Sequence, residues 1–173
     1  MADLIAVTPL AGGLPITVDG VTISEVDPAH LTSVAPFKGK EEAVSAALQD
    51  AVGAGLTPAG RRSGPVTWFG HWVWMVAGDV APPGAAVTDQ SDAWAVLSVQ
   101  GDAAEDVLAR LVPVDLRARH FAEGDVAKTM LAHLAVTIVR TGADSFEIMA
   151  MRSMGRTLVH DLETAARGLA ARG

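Results

Sequence analysis

The 173-residue sequence predicts an α+β chain made of two halves, each opening with a strand and a helix and continuing in further strands. Three observations point there. The stretches LTSVAPFKGKEEAVSAAL and WAVLSVQGDAAEDVLARL pass from an apolar run into a helix in the same way. Segments such as HWVWMVAG alternate with the period of two that a strand imposes. The helical segments repeat apolar residues at the spacing of one helix face.

The first 28 residues are rich in Pro, Gly and Asp, with one β-like run, GVTIS, and read as an irregular arm. The first half covers about residues 29–80. HLTSVAPF, His30 to Phe37, is its first strand. KEEAVSAALQDAVG follows as a helix, with Val44, Ala47, Leu48, Ala51 and Val52 at helical spacing. Gly53 and Gly55 end it, because glycine tolerates the left-handed backbone that closes helices. After the turn residues TPAGRRSGP come two strands, VTWFG and HWVWMVAG. In the second, Trp72, Trp74 and Val76 alternate with Val73, Met75 and Ala77. DVAPPGAAVTDQS reads as a linker.

The second half covers about residues 92–170. AWAVLSV is a strand, and Asp102 with Glu105 has the spacing of a capping box. The helix AAEDVLARLV stops at Pro113. DVAKTMLA, LAVTIVR and SFEIMAM are three further strands. The last helix runs from about Met154 to Leu169, with Leu158, Leu162, Ala165 and Leu169 on one face. The order is β-α-β-β followed by β-α-β-β-β-α. It predicts one α+β domain over residues 29–173, a duplication of ferredoxin-like β-α-β-β halves that share sheet and core.

Composition restricts the function classes. The formal charge is −7 and no basic run occurs, so a phosphate backbone is repelled and nucleic acid is not an expected partner. The N-terminus has no basic, then apolar, leader pattern. The longest uncharged apolar segment, VTWFGHWVWMVAG, is too short to cross a bilayer. No membrane association and a cytoplasmic location are the expectation. The mean hydropathy of +0.31 hints at apolar surface that ends against a partner.

Catalytic patterns are sparse. There is no Cys, which removes thiolate chemistry and disulfides. His30, His71, His120, His133 and His160 are too scattered to form a ligand pair, and no metal site is predicted. GAGLTPAG has Pro58 where a dinucleotide loop needs its third Gly, and it follows a helix where such a loop follows a strand. Trp68, Trp72 and Trp74 either fill a core or anchor a protein interface, where Trp is enriched. Asp115 is either a turn residue or a functional carboxylate. Arg117, Arg119 and Arg140 either grip an anion or pair with acids on the surface, each pair contributing under about 1 kcal/mol. Glu147 points away from Phe146 and Ile148, toward water. In EIMAMRSM, Met149 and Met151 share one face of the strand while Ile148 and Ala150 share the other, so both faces are apolar.

Several segments together carry a resemblance. LTPAGRRSGPVTWFGHWVWMVAG resembles a Pro/Gly turn followed by a Trp-Leu-Gly-Pro-x-x-Trp-Leu pattern, with FGHWVW in place of the Gly-Pro turn. WAVLSVQGDAAEDVLARLVPVDL and VAKTMLAHLAVTIVRTGADSFEIMAMRSMGRTLVHDL continue the match, which spans about residues 20–168. The chain resembles the gamma subunit of heterotetrameric sarcosine oxidase, in the folate-binding aminomethyltransferase-like group. That resemblance implies the fold of the aminomethyltransferase folate domain and a small, non-catalytic assembly subunit. The larger alpha and beta subunits would be its partners and would hold FAD, FMN, NAD and tetrahydrofolate. The whole complex oxidatively demethylates sarcosine to glycine, forms hydrogen peroxide and passes the methylene to tetrahydrofolate. In aminomethyltransferases the stretch Thr-Gly-Glu-Asp-Gly-Phe-Glu carries the glutamate that reads the pterin. The corresponding stretch here is Thr141 to Glu147, and Ala143 stands at that glutamate's position. Asp115 stands where the family's catalytic aspartate lies, which makes it the one folate candidate in this chain. No catalytic residue is expected. The alternative is a free-standing tetrahydrofolate-binding or aminomethyl transferase-related module.

Overall fold

The computed structural model describes residues 7–172. It has eleven strands and three α-helices in two antiparallel sheets. The five-stranded sheet contains β3 (Leu31–Pro36), β4 (Arg62–Ser63), β5 (Val66–Gly70), β6 (Val73–Ala77) and β7 (Ala85–Asp89), in the order β4-β5-β6-β3-β7. Helix α1 (Glu41–Val52) covers one face, burying Val44 and Leu48 against Val34, Val66 and Val76. Its stop is as expected: Gly53 adopts φ 76° and its N–H closes on Gln49.

The six-stranded sheet has the order β1-β2-β8-β11-β10-β9. Its strands are β1 (Ile16–Val18), β2 (Val21–Val26), β8 (Trp94–Gln100), β9 (Val126–Leu131), β10 (Leu134–Gly142) and β11 (Ser145–Met151). Helices α2 (Ala104–Ala109) and α3 (Gly155–Ala170) cover one face. Leu158 and Leu162 of α3 are fully buried beside Leu97, Ile138 and Ile148. Gly155 lets α3 start close to the sheet, since a Cβ there would lie 3.1 Å from Ala95 Cβ.

Both helix-free faces turn toward each other. Thr67 and Met75 are buried in the smaller sheet, and Ser98, Thr137 and Val139 in the larger, with no helix above any of them. Phe69 meets Trp94 edge-to-face at 5.0 Å. Arg62 bonds Glu147 at 2.5 Å. The helices therefore lie outside two stacked sheets. No helix among the described residues is long and apolar enough to cross a membrane.

Three expectations need correction. The N-terminal segment is not irregular throughout, because Ile16–Val18 and Val21–Val26 extend the larger sheet and bury Val21 and Ile23; residues 1–6 lie outside the described part. Pairing of β2 with β8 supplies the stability that its composition does not advertise. The linker contains β7, held by its ladder to β3 although Ala86, Val87, Thr88 and Asp89 are exposed. No capping box forms: α2 starts after Ala103 without a side-chain cap, and Glu105 is engaged elsewhere.

Candidate functional site

The end of β10 and its turn into β11, residues 140–145, are where the folate-binding pattern would place its pterin contact. Strand parity decides what happens there. Val136 and Ile138 face the helices, so the period of two carries Arg140 to the same buried face. Arg140 is only 2 % exposed. Its guanidinium lies 4.5 Å from the Phe146 ring centre. One Nη2 donates to Glu105 at 2.6 Å and to the Leu116 carbonyl. Nη1 donates to the carbonyls of Ala143 and, at 3.4 Å, Gly142. This corrects the sequence expectation. Arg140 is neither a surface ion pair nor an anion grip, but a buried clamp joining α2, the loop after it and the β10–β11 turn. A buried guanidinium persists only when most of its donors find acceptors; its two Nη atoms reach four, while Nε is buried without a partner among the described residues.

Ala143 is exposed at the tip of that turn, where its methyl offers neither donor nor acceptor. Glu147 lies on the opposite face of β11 from Phe146, as expected. It is not simply solvated, because Arg62 of the other sheet holds it.

Asp115 sits in the exposed loop after α2. Its Oδ1 accepts from the Arg117 backbone N–H at 3.1 Å and from Arg117 Nε at 2.7 Å, and its Oδ2 from the Arg117 guanidinium. His120 Nε2 is 3.8 Å away. The Arg117 side-chain bond, opposed by some desolvation, holds the Asp115 carboxyl well below the usual carboxylate range. It is therefore an ionised, locally paired turn residue, poorly suited to proton transfer near neutrality. Arg119 is exposed and makes no salt bridge among the described residues. The structure places Asp115 and Arg117 together; Arg140 is directed into the core instead.

The three hairpin tryptophans separate. Trp74 is buried and donates Nε1–H to the Thr57 carbonyl at 2.9 Å. Trp68 packs half-buried on the smaller sheet's core. Trp72 is not in a strand: it occupies the β5–β6 turn at φ 58° and is 49 % exposed. Only Trp72 offers a substantial free surface.

A feature the residue patterns signalled only through Met149 and Met151 lies on the uncovered end of the larger sheet. Trp94, Met151, Ala135 and Met130 line a groove of about 530 Å³ with Phe69 and Lys128. Met151 is 59 % and Met130 46 % exposed. Lys128 donates Nζ–H to the Phe69 carbonyl at 2.8 Å and lies over its ring, and burial pulls its pKa down. Met151 also borders a second depression of about 600 Å³ with Arg152 and Arg156. Among the described residues no group of three or more His, Asp or Glu could hold a metal ion.

Residues 55–173 match the family described as the GCVT N-terminal domain. The chain is similar to sarcosine oxidase subunit gamma of Corynebacterium sp. (strain U-96), 33 % identical over 134 residues that make up 66 % of this chain and 65 % of that relative. It is also 33 % identical to the subunit gamma of Corynebacterium sp. (strain P-1), over 66 % of each chain. The chain thus spans just under two-thirds of the length of these curated relatives. Among solved structures it resembles a chain of heterotetrameric sarcosine oxidase from Corynebacterium sp. U-96 in complex with pyrrole 2-carboxylate. The TM-score is 0.79 at 25 % identity, over 95 % of this chain and 96 % of that one.

Proposed function

Because the chain belongs to the GCVT N-terminal domain family, we propose that it keeps that family's scaffold in the service of assembly, as the small gamma-type subunit of a heterotetrameric sarcosine oxidase. Ala143 carries the reading. A pterin ring is held by matched donors and acceptors, and the position that resemblance assigns to the reading carboxylate has only a methyl. Asp115, the remaining candidate, is already bonded three ways to Arg117. The names of both curated relatives and the near-complete coverage of a chain from the heterotetramer support the same reading.

In this reading larger alpha and beta subunits bind FAD, FMN, NAD and tetrahydrofolate. They also carry out the oxidative demethylation of sarcosine, the release of peroxide and the methylene transfer. This chain performs no proton or group transfer. Its two sheets are taken as duplicated ferredoxin-like halves. Supporting that, β3 and β8 are each followed by a helix and then at least three strands, and the orders β4-β5-β6-β3 and β9-β10-β11-β8 correspond position for position.

Tetrahydrofolate titration of the isolated chain tests the proposal. Absence of saturable binding up to millimolar ligand, for wild type and Asp115→Asn alike, is expected. Micromolar binding that Asp115→Asn abolishes would replace the assembly role with a free-standing folate-binding one.

A further inference from the structure

The groove at the open end of the larger sheet has no role in the reading above beyond its place in the fold. Three observations define it. Met130, Met151, Ala135 and Trp94 come from four strands, so the apolar surface is built by the sheet itself and is rigid at its base. The smaller sheet stops at Phe69, leaving this end uncovered while Thr137 and Ser98 further in are buried. Charge is distributed unlike the rest of the molecule. Lys128, Arg152 and Arg156 line the groove and the adjoining depression, and no Asp or Glu lines either, in a chain of net charge −7. Arg152 pairs with the fully exposed Asp92 at 3.5 Å and also borders a separate hollow lined by Glu25 and Asp27.

We propose that this surface is the docking face for a larger subunit of the complex, a partner that presents apolar side chains flanked by carboxylates. The inference rests on the subunit reading. Exposed methionines on a rigid sheet suit such a contact, because the thioether side chain adapts its shape to what it meets. The cationic rim supplies orientation and encounter rate, and the apolar centre supplies the lasting contact. Trp72, in the β5–β6 turn just beyond Phe69, does not itself line the groove.

The test is co-expression of the full chain with the two larger oxidase chains of its own host, followed by affinity purification and size-exclusion chromatography. Met130→Glu/Met151→Glu should lower recovery of the larger chains roughly tenfold or more, as loss of a central apolar anchor does. Arg156→Glu should lower it less and make it salt-sensitive. Phe37→Glu, at an apolar residue 57 % exposed in the connection between β3 and α1, should leave it unchanged. Wild-type recovery by the double variant overturns the docking face while leaving the subunit reading intact. Failure of the wild-type chain to co-elute with the larger chains overturns both. A second readout needs no variant: peroxide oxidation of Met130 and Met151, followed by mass spectrometry. Both should oxidise readily in the isolated chain and at least several-fold more slowly in the complex. Equal rates in the two states overturn the proposal.

Discussion

Replacing Arg140 by methionine keeps an apolar stem over Phe146 and removes only the guanidinium. Removing one partner of a fully buried ion pair costs about 3–5 kcal/mol, chiefly because the other charge stays buried. Glu105 has 32 % of its side chain exposed, so its carboxylate regains water and the cost falls below that range, to about 2 kcal/mol. The Leu116 carbonyl, in a buried setting, loses its donor as well, adding about 1 kcal/mol. Arg140→Met should therefore destabilise the chain by about 3 kcal/mol in urea unfolding, with an unchanged m-value. In a chain of this length that corresponds to roughly 6–12 °C in Tm. Adding Glu105→Leu should recover about 1–2 kcal/mol, since an apolar pair tolerates the site better than a stranded acid. A loss under about 1 kcal/mol, or purely additive effects of the two changes, would mean that the pair behaves as a surface contact and that the clamp argument fails.

The two sheets give further expectations. Gly101 has φ 129°, and a Cβ there would meet the Gly20 carbonyl oxygen at 2.2 Å; Gly101→Ala should cost more than about 2 kcal/mol by thermal melting. Trp74→Ala should cost about 3–5 kcal/mol, while Trp72→Gly, which relieves a left-handed non-glycine residue, should be neutral or stabilising by up to about 1 kcal/mol. Arg62→Gln should cost about 1 kcal/mol by urea unfolding, because Glu147 is half-buried between the sheets. For Asp115 the folded-state pKa lies below the ordinary 3.8. Its contribution is present above that value and is lost as pH falls below it, so Asp115→Asn and wild type should converge in stability only in acid.

Much of the fold was legible because its elements announce themselves locally. β5 and β11 were read to the residue, and β3, α1, β10 and α3 to within one or two at each end. β7 was missed because Ala-Ala-Val-Thr-Asp has no buried face and is held only by backbone pairing. β1 was missed, and β2 was noticed only as the β-like run GVTIS inside an irregular arm, because Pro and Gly around them outweigh short apolar runs and β2's other partner, β8, lies far along the chain. The capping box failed for the same reason. Asp102 and Glu105 have the right spacing, but Glu105 is taken by Arg140, 35 residues away. Arg140 itself was readable: continuing the alternation of Val136 and Ile138 places it on the buried face. Its charge argued for the surface, and the local argument could not see four acceptors converging from other segments. The groove was foreshadowed by Met149 and Met151 sharing a face, yet its exposure depends on where the smaller sheet ends.

The central claim is that this chain works as one member of a heteromeric flavoenzyme. The most direct measurement is native mass spectrometry of the tagged chain purified from its host, with the visible spectrum of the same sample. A yellow heteromeric assembly holding this chain together with the two larger subunits is the expected result. A colourless species made only of this chain would contradict it.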